Sequence, residues 1–488
     1  MYSPAHTTPI ISEARAPAHA APAARTMRSR DLYFALSTDP AGASPAARDY
    51  LRDQIAAIQD VPADLPAELA DLPGWVLERA NAVGTQYRDY LAGRKKGAGR
   101  CYFGSRAHAL YFLRSVAPTK LVDGAWLYGL LKHWDNPDFH PLIKTYLEEL
   151  GDGVPDKNHV TLYRKLLASH GCDRWQDLDD HHFVQGTIQL ALAYNADQFL
   201  PEVIGYNLGY EQLPLHLLIT AYELNELGID PYYFTLHVTV DNADGGHAYK
   251  AVQALQQLLP GSGARAGFVK RVLDGYRLNE LGASTTSVIA EFDLQAELER
   301  ILAAKSVVGK NMHSDYCRVA GRPVNDWLAD RARIPDFLAA LVGAGWIKRG
   351  EDVENSRFWR LIQGERAEMF GVFSAYEQQV LRDWIAGARG DASAPRVPSH
   401  RARQRSLDQL GANAGRSGGF PDRGLIRRHH PQMADDAGSE LRLLEERVAA
   451  AAGRQQAMDM LVPLMSPAAH HRAVGLMATR MYARLLDA

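Results

Sequence analysis

The stretch His237-Val-Thr-Val-Asp241-Asn-Ala-Asp244-Gly-Gly-His247 sets two imidazoles and two carboxylates at offsets 0, 4, 7 and 10. Imidazole nitrogen and carboxylate oxygen are ligands for Fe(II), Mn(II) and Zn(II). On a regular helix Asp241 falls at about +40°, Asp244 at about −20° and His247 at about −80° from His237. One helical face would then carry a metal-binding set that ordinary solvated residues rarely form. A single helix cannot close such a site, so further ligands must come from elsewhere.

Upstream, Glu149 and His159 lie ten residues apart, and Glu211 sits in Gly205-Tyr-Asn-Leu-Gly-Tyr-Glu-Gln-Leu-Pro214. Glu211 stands in an otherwise apolar run, where an unpaired buried carboxylate is costly. Taken singly, Glu149 reads as a solvated helix end and His159 as an ordinary core or surface histidine. Asp241 and Asp244 would serve equally well as turn formers before Gly245-Gly246.

In order, however, these residues resemble the ligand motif of the haem-oxygenase-like dimetal oxidases and oxygenases, the iron-containing redox enzymes. The order is Glu, a His ten residues on, a Glu after Tyr, then H-x3-D. The likeness runs from about Tyr111 to about Leu302. It implies an all-α, haem-oxygenase-like bundle holding two non-haem Fe(II) ions, with O2 as co-substrate. The metal ligands it implies are Glu149, His159, Glu211, His237, Asp241 and one of Asp244 or His247. The family motif places its last histidine at position 244, where this chain has Asp. Either Asp244 substitutes, which regular helical geometry favours, or a distortion at Gly245-Gly246 brings in His247. The implied activity is oxidation of a small metabolite, amino-acid-derived compounds among the candidates, by desaturation, C–C cleavage or N-oxygenation, with an unspecified electron donor. Two rivals stand beside it: a haem-binding or cofactor-less relative on the same fold, and a helical adaptor that has lost its metal.

The elements that must position these residues are helical by pattern. A 3.6-residue apolar period recurs through 31–106 and 107–305, broken by Asp-Gly, Gly-Asp-Gly, Gly-Ile-Asp-Pro and Pro-Gly-Ser-Gly. His237-Val-Thr-Val alternates like a strand, but the metal spacing asks for a helix there. Residues 306–386 read as a small helical extension in which Phe358-Trp-Arg-Leu-Ile is expected to be a short strand, and Ser374 to cap a final helix. Residues 1–30 and the Arg/Gly/Pro-rich 387–438 are expected to be a disordered tail and linker. Residues 439–488 regain a helical period, and are expected to dock on the bundle or pair two copies as a homodimer. Asp177-Leu-Asp-Asp-His-His182 reads as a polar helix start rather than a site.

Composition excludes other classes. The chain has 488 residues, a formal net charge of −3 and three separated cysteines. Nothing global attracts nucleic acid, no run is long and apolar enough to span a membrane, and the cysteines fit a reducing cytoplasm.

Overall fold

The computed structural model describes residues 27–240, 246–364, 366–387 and 431–488. Helices dominate throughout: α1 (Ser29–Thr38), α2 (Pro40–Ala57), α3 (Leu72–Lys95), α4 (Arg106–Ser115), α5 (Ala117–Lys120), α6 (His140–Glu149), α7 (His159–Ser169), α8 (Val184–Asn195), α9 (Leu200–Tyr210), α10 (Leu215–Glu226), α11 (Tyr232–Val240), α12 (His247–Gln257) and α13 (Ser262–Arg277). The extension adds α14 (Thr285–Ala290), α15 (Leu294–Gly309), α16 (Val324–Leu328), α17 (Ile334–Gly343), α18 (Arg357–Ile362) and α19 (Ala375–Ala386). Three C-terminal helices follow, Pro431–Ala449, Arg454–Leu461 and Ala473–Asp487. Among the described residues the only sheet is a two-stranded antiparallel pairing of Arg318–Val319 with Arg322–Pro323. No described helix is long and apolar enough to cross a membrane.

Local chemistry sets the ends of these helices. Pro141 and Pro201 fall in the first turns of α6 and α9, where a missing N–H costs nothing. Asn158 caps α7 by accepting from Thr161 N at 2.9 Å. Ser374 and Glu377 form the reciprocal capping box expected of α19. The expected strand at Phe358 is instead helix α18: Phe358, Trp359 and Ile362 are all buried. Spacing of one, three and four residues suits one face of a helical turn, and tertiary burial has overridden the β propensity of so short a run. The region 431–438, expected to be linker, belongs to the first C-terminal helix.

Two apolar cores result. One joins α1, α2, α6, α8 and α9 to the C-terminal helices, through Leu32, Leu51, Tyr146, Val203, Tyr206, Met458 and Tyr482. The other joins α4, α7, α10 and α11 to the extension, through Leu113, Tyr163, Leu224, Tyr233, Ile301, Leu341 and Trp384. The C-terminal helices are docked: Tyr482 donates to Leu131 O and Tyr146 to Met465 O, each at 2.6 Å. Burying Met458, Leu461, Met465 and Tyr482 contributes about 1.5–3 kcal/mol apiece.

The closest helix contact is α9 on α13. A Cβ on Gly205 would meet Val272 O at 1.8 Å, and one on Gly275 would meet Glu202 O at 2.1 Å. Backbone thus packs on backbone at this crossing, and the contact fixes the helix that ends at Glu211. Gly205→Val should therefore destabilise the protein by about 3 kcal/mol or more. Gly267→Ala, where a Cβ meets nothing, should instead gain up to about 1 kcal/mol on α13; denaturant unfolding of both variants checks the contrast.

Candidate metal centre

Glu149 is the last residue of α6, and the chain then turns back sharply to reach α7. Gly151, Asp152 and Gly153 all have positive φ (65°, 51° and 75°), and a Cβ on Gly151 would lie 2.4 Å from Asn158 N. Asn158 holds the turn closed by donating to Leu150 O at 3.1 Å. His159, the first residue of α7, is thereby delivered to Glu149, with Nδ1 and Oε2 2.5 Å apart. From the other side, Asp123-Gly124 approaches the same carboxylate. Gly124 has φ +77°, and a Cβ there would fall 2.8 Å from Glu149 Cβ, so only glycine permits the contact.

His237, on α11, directs Nδ1 at Tyr233 O (2.8 Å) and Nε2 at Asp123 Oδ2 (3.2 Å). A carbonyl can only accept, so Nδ1 carries the proton. Nε2 then faces a carboxylate oxygen, and the two can meet only with a second proton or a metal ion between them. His247 repeats the pattern. Its Nε2 lies 2.8 Å from Glu148 Oε2, while Nδ1 lies 3.0 Å from Glu211 Oε2 and 3.3 Å from Glu149 Oε1. With Nε2 donating to Glu148, Nδ1 faces two carboxylates, where again a proton or a metal ion must lie between.

The result is two groups that share Glu149. Asp123, Glu149, His159 and His237 form one, and Glu149, Glu211 and His247 the other; within each, the ligand atoms all lie within 4.8 Å of one another. All six residues are buried, none more than 7 % exposed. Four carboxylates, counting Glu148, face two lysines: Lys250 pairs with Glu148 at 2.5 Å, and Lys120 lies 3.9 Å from Asp123. Without a proton or a metal at the imidazoles, negative charge is in excess in a dry interior. An N/O donor set of this kind fits Fe(II), and a carboxylate shared by two groups fits a bridging ligand.

Asp123 is held further by Tyr233 OH (2.5 Å, to Oδ2) and Tyr210 OH (2.9 Å, to Oδ1), and Lys120 Nζ donates to Tyr210 OH at 3.0 Å. Burial disfavours the Asp123 carboxylate, but Lys120, His237 and His159 more than offset it and keep its carboxyl below the usual range. Glu148 is likewise lowered, with burial opposed by His247 and Lys250. The rings of His159 and His237 lie 4.2 Å apart, and Tyr163 packs on Tyr233 at 4.7 Å.

Comparison with known proteins can now be set beside this geometry. Residues 110–278 match the iron-containing redox enzyme family. No curated protein and no solved structure matches the chain. The family segment runs from α4 to the end of α13 and contains all six clustered residues. Helices α1–α3, the extension and the C-terminal helices lie outside it.

Of the residues predicted from sequence, the structure brings together Glu149, His159, Glu211, His237 and His247. Asp241 and Asp244 lie outside the described residues. One expectation needs correction: His237 and His247 do not share a helix. Helix α11 ends at Val240, and His247 opens α12 behind Gly246, an extended N-cap with φ −72° and ψ −174°. Angles computed along an unbroken helix therefore do not apply across this break, and each of the two glycines before His247 would cost about 1 kcal/mol in a helix interior.

Asp123 was missed. Asp-Gly is so common a turn signal that it reads as punctuation. The available hint was its setting, Lys120-Leu-Val-Asp-Gly-Ala-Trp-Leu127, a charged residue in an apolar run. The Asp177–His182 segment forms the 3-10 turn Asp180–Phe183 that leads into α8. With Glu291, its His181 and His182 make a smaller group, two of whose three members are exposed.

Glu148 orients His247 from behind. A carboxylate in that position typically raises metal affinity by about 10–100-fold. Glu148→Ala should weaken iron binding by that factor while the protein stays folded, as read by chelator competition and circular dichroism.

Proposed function

We propose that this protein is a non-haem diiron oxidase or oxygenase that uses O2 to oxidise a small metabolite. The observation that carries the reading is the gathering of buried carboxylates and imidazole nitrogens, His237 and His247 among them, in two groups joined through Glu149. The family match supports iron and redox chemistry. When bound, two Fe(II) ions would supply the electrons for O2 reduction and the oxidising power applied to the substrate.

The chain's own residues have distinct tasks in this reading. Asp123, His159 and His237 would hold one ion and Glu211 and His247 the other, with Glu149, which belongs to both groups, available to either. Tyr233 O and Glu148 each engage one ring nitrogen of His237 and His247, so that the other faces the clustered carboxylates. Tyr210 and Tyr233 orient the Asp123 carboxylate. Apolar side chains on both sides exclude bulk water, which strengthens every charge interaction within and protects reactive species from side reactions.

The test is metal stoichiometry in full-length protein prepared anaerobically with excess iron. Wild type should hold two irons per chain and consume O2 once reduced. Glu149→Ala should lose both ions, whereas Asp123→Ala and His247→Ala should each lose one. A Soret band in the wild type, absence of iron, or full retention by Glu149→Ala would overturn the proposal.

A further inference from the structure

A second feature of the molecule has no part in the metal cluster. Where α1, α7 and the C-terminal segment meet, a cavity of about 410 Å³ opens beside the first core. That size is in the range of small-molecule sites. Its walls are aromatic: Phe34 and Trp175 lie parallel at 6.0 Å and 16°, and Tyr33 meets Trp175 edge-on at 6.0 Å. Besides Ser37 and the tyrosines, its polar lining residues are Arg164, His471 and Arg472, and no carboxylate lines it.

Among the described residues neither arginine has a carboxylate partner. Both are exposed residues; burial first, opposed by Tyr33 and reinforced by Arg472, lowers the pKa of Arg164. His471 Nδ1 is buried without a hydrogen-bond partner among the described residues. Burial first, then Arg164 and Arg472, holds His471 at about 4, so at neutral pH it is an uncharged ring with one N–H to donate. Two guanidinium groups lining one cavity can offer an oxyanion bidentate hydrogen bonds. The parallel Phe34 and Trp175 rings suit a flat apolar body.

We infer that this cavity binds a small organic oxyanion, with its carboxylate or phosphate head on Arg164 and Arg472 and a flat apolar body against Phe34 and Trp175. The site is separate from the metal centre but shares segments with it. Leu121 and Val122 line the cavity and precede Asp123, and Arg164 follows His159 on α7. Only α7, α8 and the 121–122 and Trp175 segments of its wall come from the family segment. Tyr33, Phe34, His471 and Arg472 come from outside it, so this chain's own additions complete the pocket.

Calorimetric titration of the full chain, iron-loaded and iron-free, tests the assignment with 2-naphthoate, 2-naphthyl phosphate, 2-naphthamide and inorganic phosphate. At least one of the two aryl anions should bind at least tenfold more tightly than both the neutral amide and inorganic phosphate, irrespective of iron; which one does so identifies the head group. Arg164→Gln with Arg472→Gln should weaken that anion at least tenfold and leave the amide unchanged, with circular dichroism confirming the fold. Equal affinity for anion and amide, indifference to the double substitution, binding only when iron is present, or inorganic phosphate binding as tightly as the aryl anions would overturn the inference.

Discussion

The constraint on which the rest of this structure depends is a layer of acceptors buried between two apolar cores. Leu147, Leu150, Leu208 and Ala248 belong to one core, and Val160, Tyr163, Tyr233 and Phe234 to the other. The clustered carboxylates and imidazoles lie along the seam, beside these residues in sequence. Glu223, also fully buried, shows how this protein normally settles such a group: it accepts Cys101 N at 2.5 Å, Tyr102 N at 2.9 Å, Phe103 N at 3.0 Å and Tyr90 OH at 2.9 Å. A carboxylate surrounded by donors is a structural clamp. At the seam the neighbours of the carboxylates include imidazole nitrogens, a pairing that holds only with a proton or a metal ion between the two.

Bringing six polar residues from separate helices and turns to one seam requires the backbone to approach more closely than side chains usually allow. Gly124 against Glu149, Gly151 against Asn158, and Gly205 and Gly275 across the α9–α13 crossing meet this need in three places. Each is local, yet each sets the position of a different member of the cluster: Asp123, His159 and Glu211. The left-handed turn at 151–153 also explains the ten-residue spacing of Glu149 and His159. Helix α6 ends, the chain reverses within a few residues, and Asn158 starts the next helix one residue before the histidine.

Much of this was legible in the sequence, and the reasons for the remainder are physical. Helical periodicity marks α6, α7, α9 and α12 because each buries one stripe. The order of Glu149, His159, Glu211 and His237 carries the family likeness without any geometry. Asp123 was hidden because its partners, Tyr210, Tyr233 and His237, are 87 to 114 residues away. His247 was judged by angles along a helix that in fact stops at Val240; the glycine pair before it was the better guide. At Phe358 a run of five residues was too short for periodicity to separate a strand from a buried helical turn.

The docking of the C-terminal helices was illegible for another reason: an amphipathic pattern specifies that a face is buried, never what buries it. The structure supplies the partner, and it is the ligand-bearing turn itself. A Cβ on Gly153 would strike Leu476 O at 2.2 Å, and Asn158, which caps the helix of His159, donates to His470 Nδ1 at 3.0 Å. Asn158 has only two amide hydrogens, and both are committed, one to Leu150 O within the turn and one to His470 across the interface. The side chain that starts the ligand helix therefore ties the turn to the C-terminal segment. Residues far outside the family segment thus share in fixing the distance between Glu149 and His159, and the buried cluster depends on the C-terminal segment as well as on the helices that carry it.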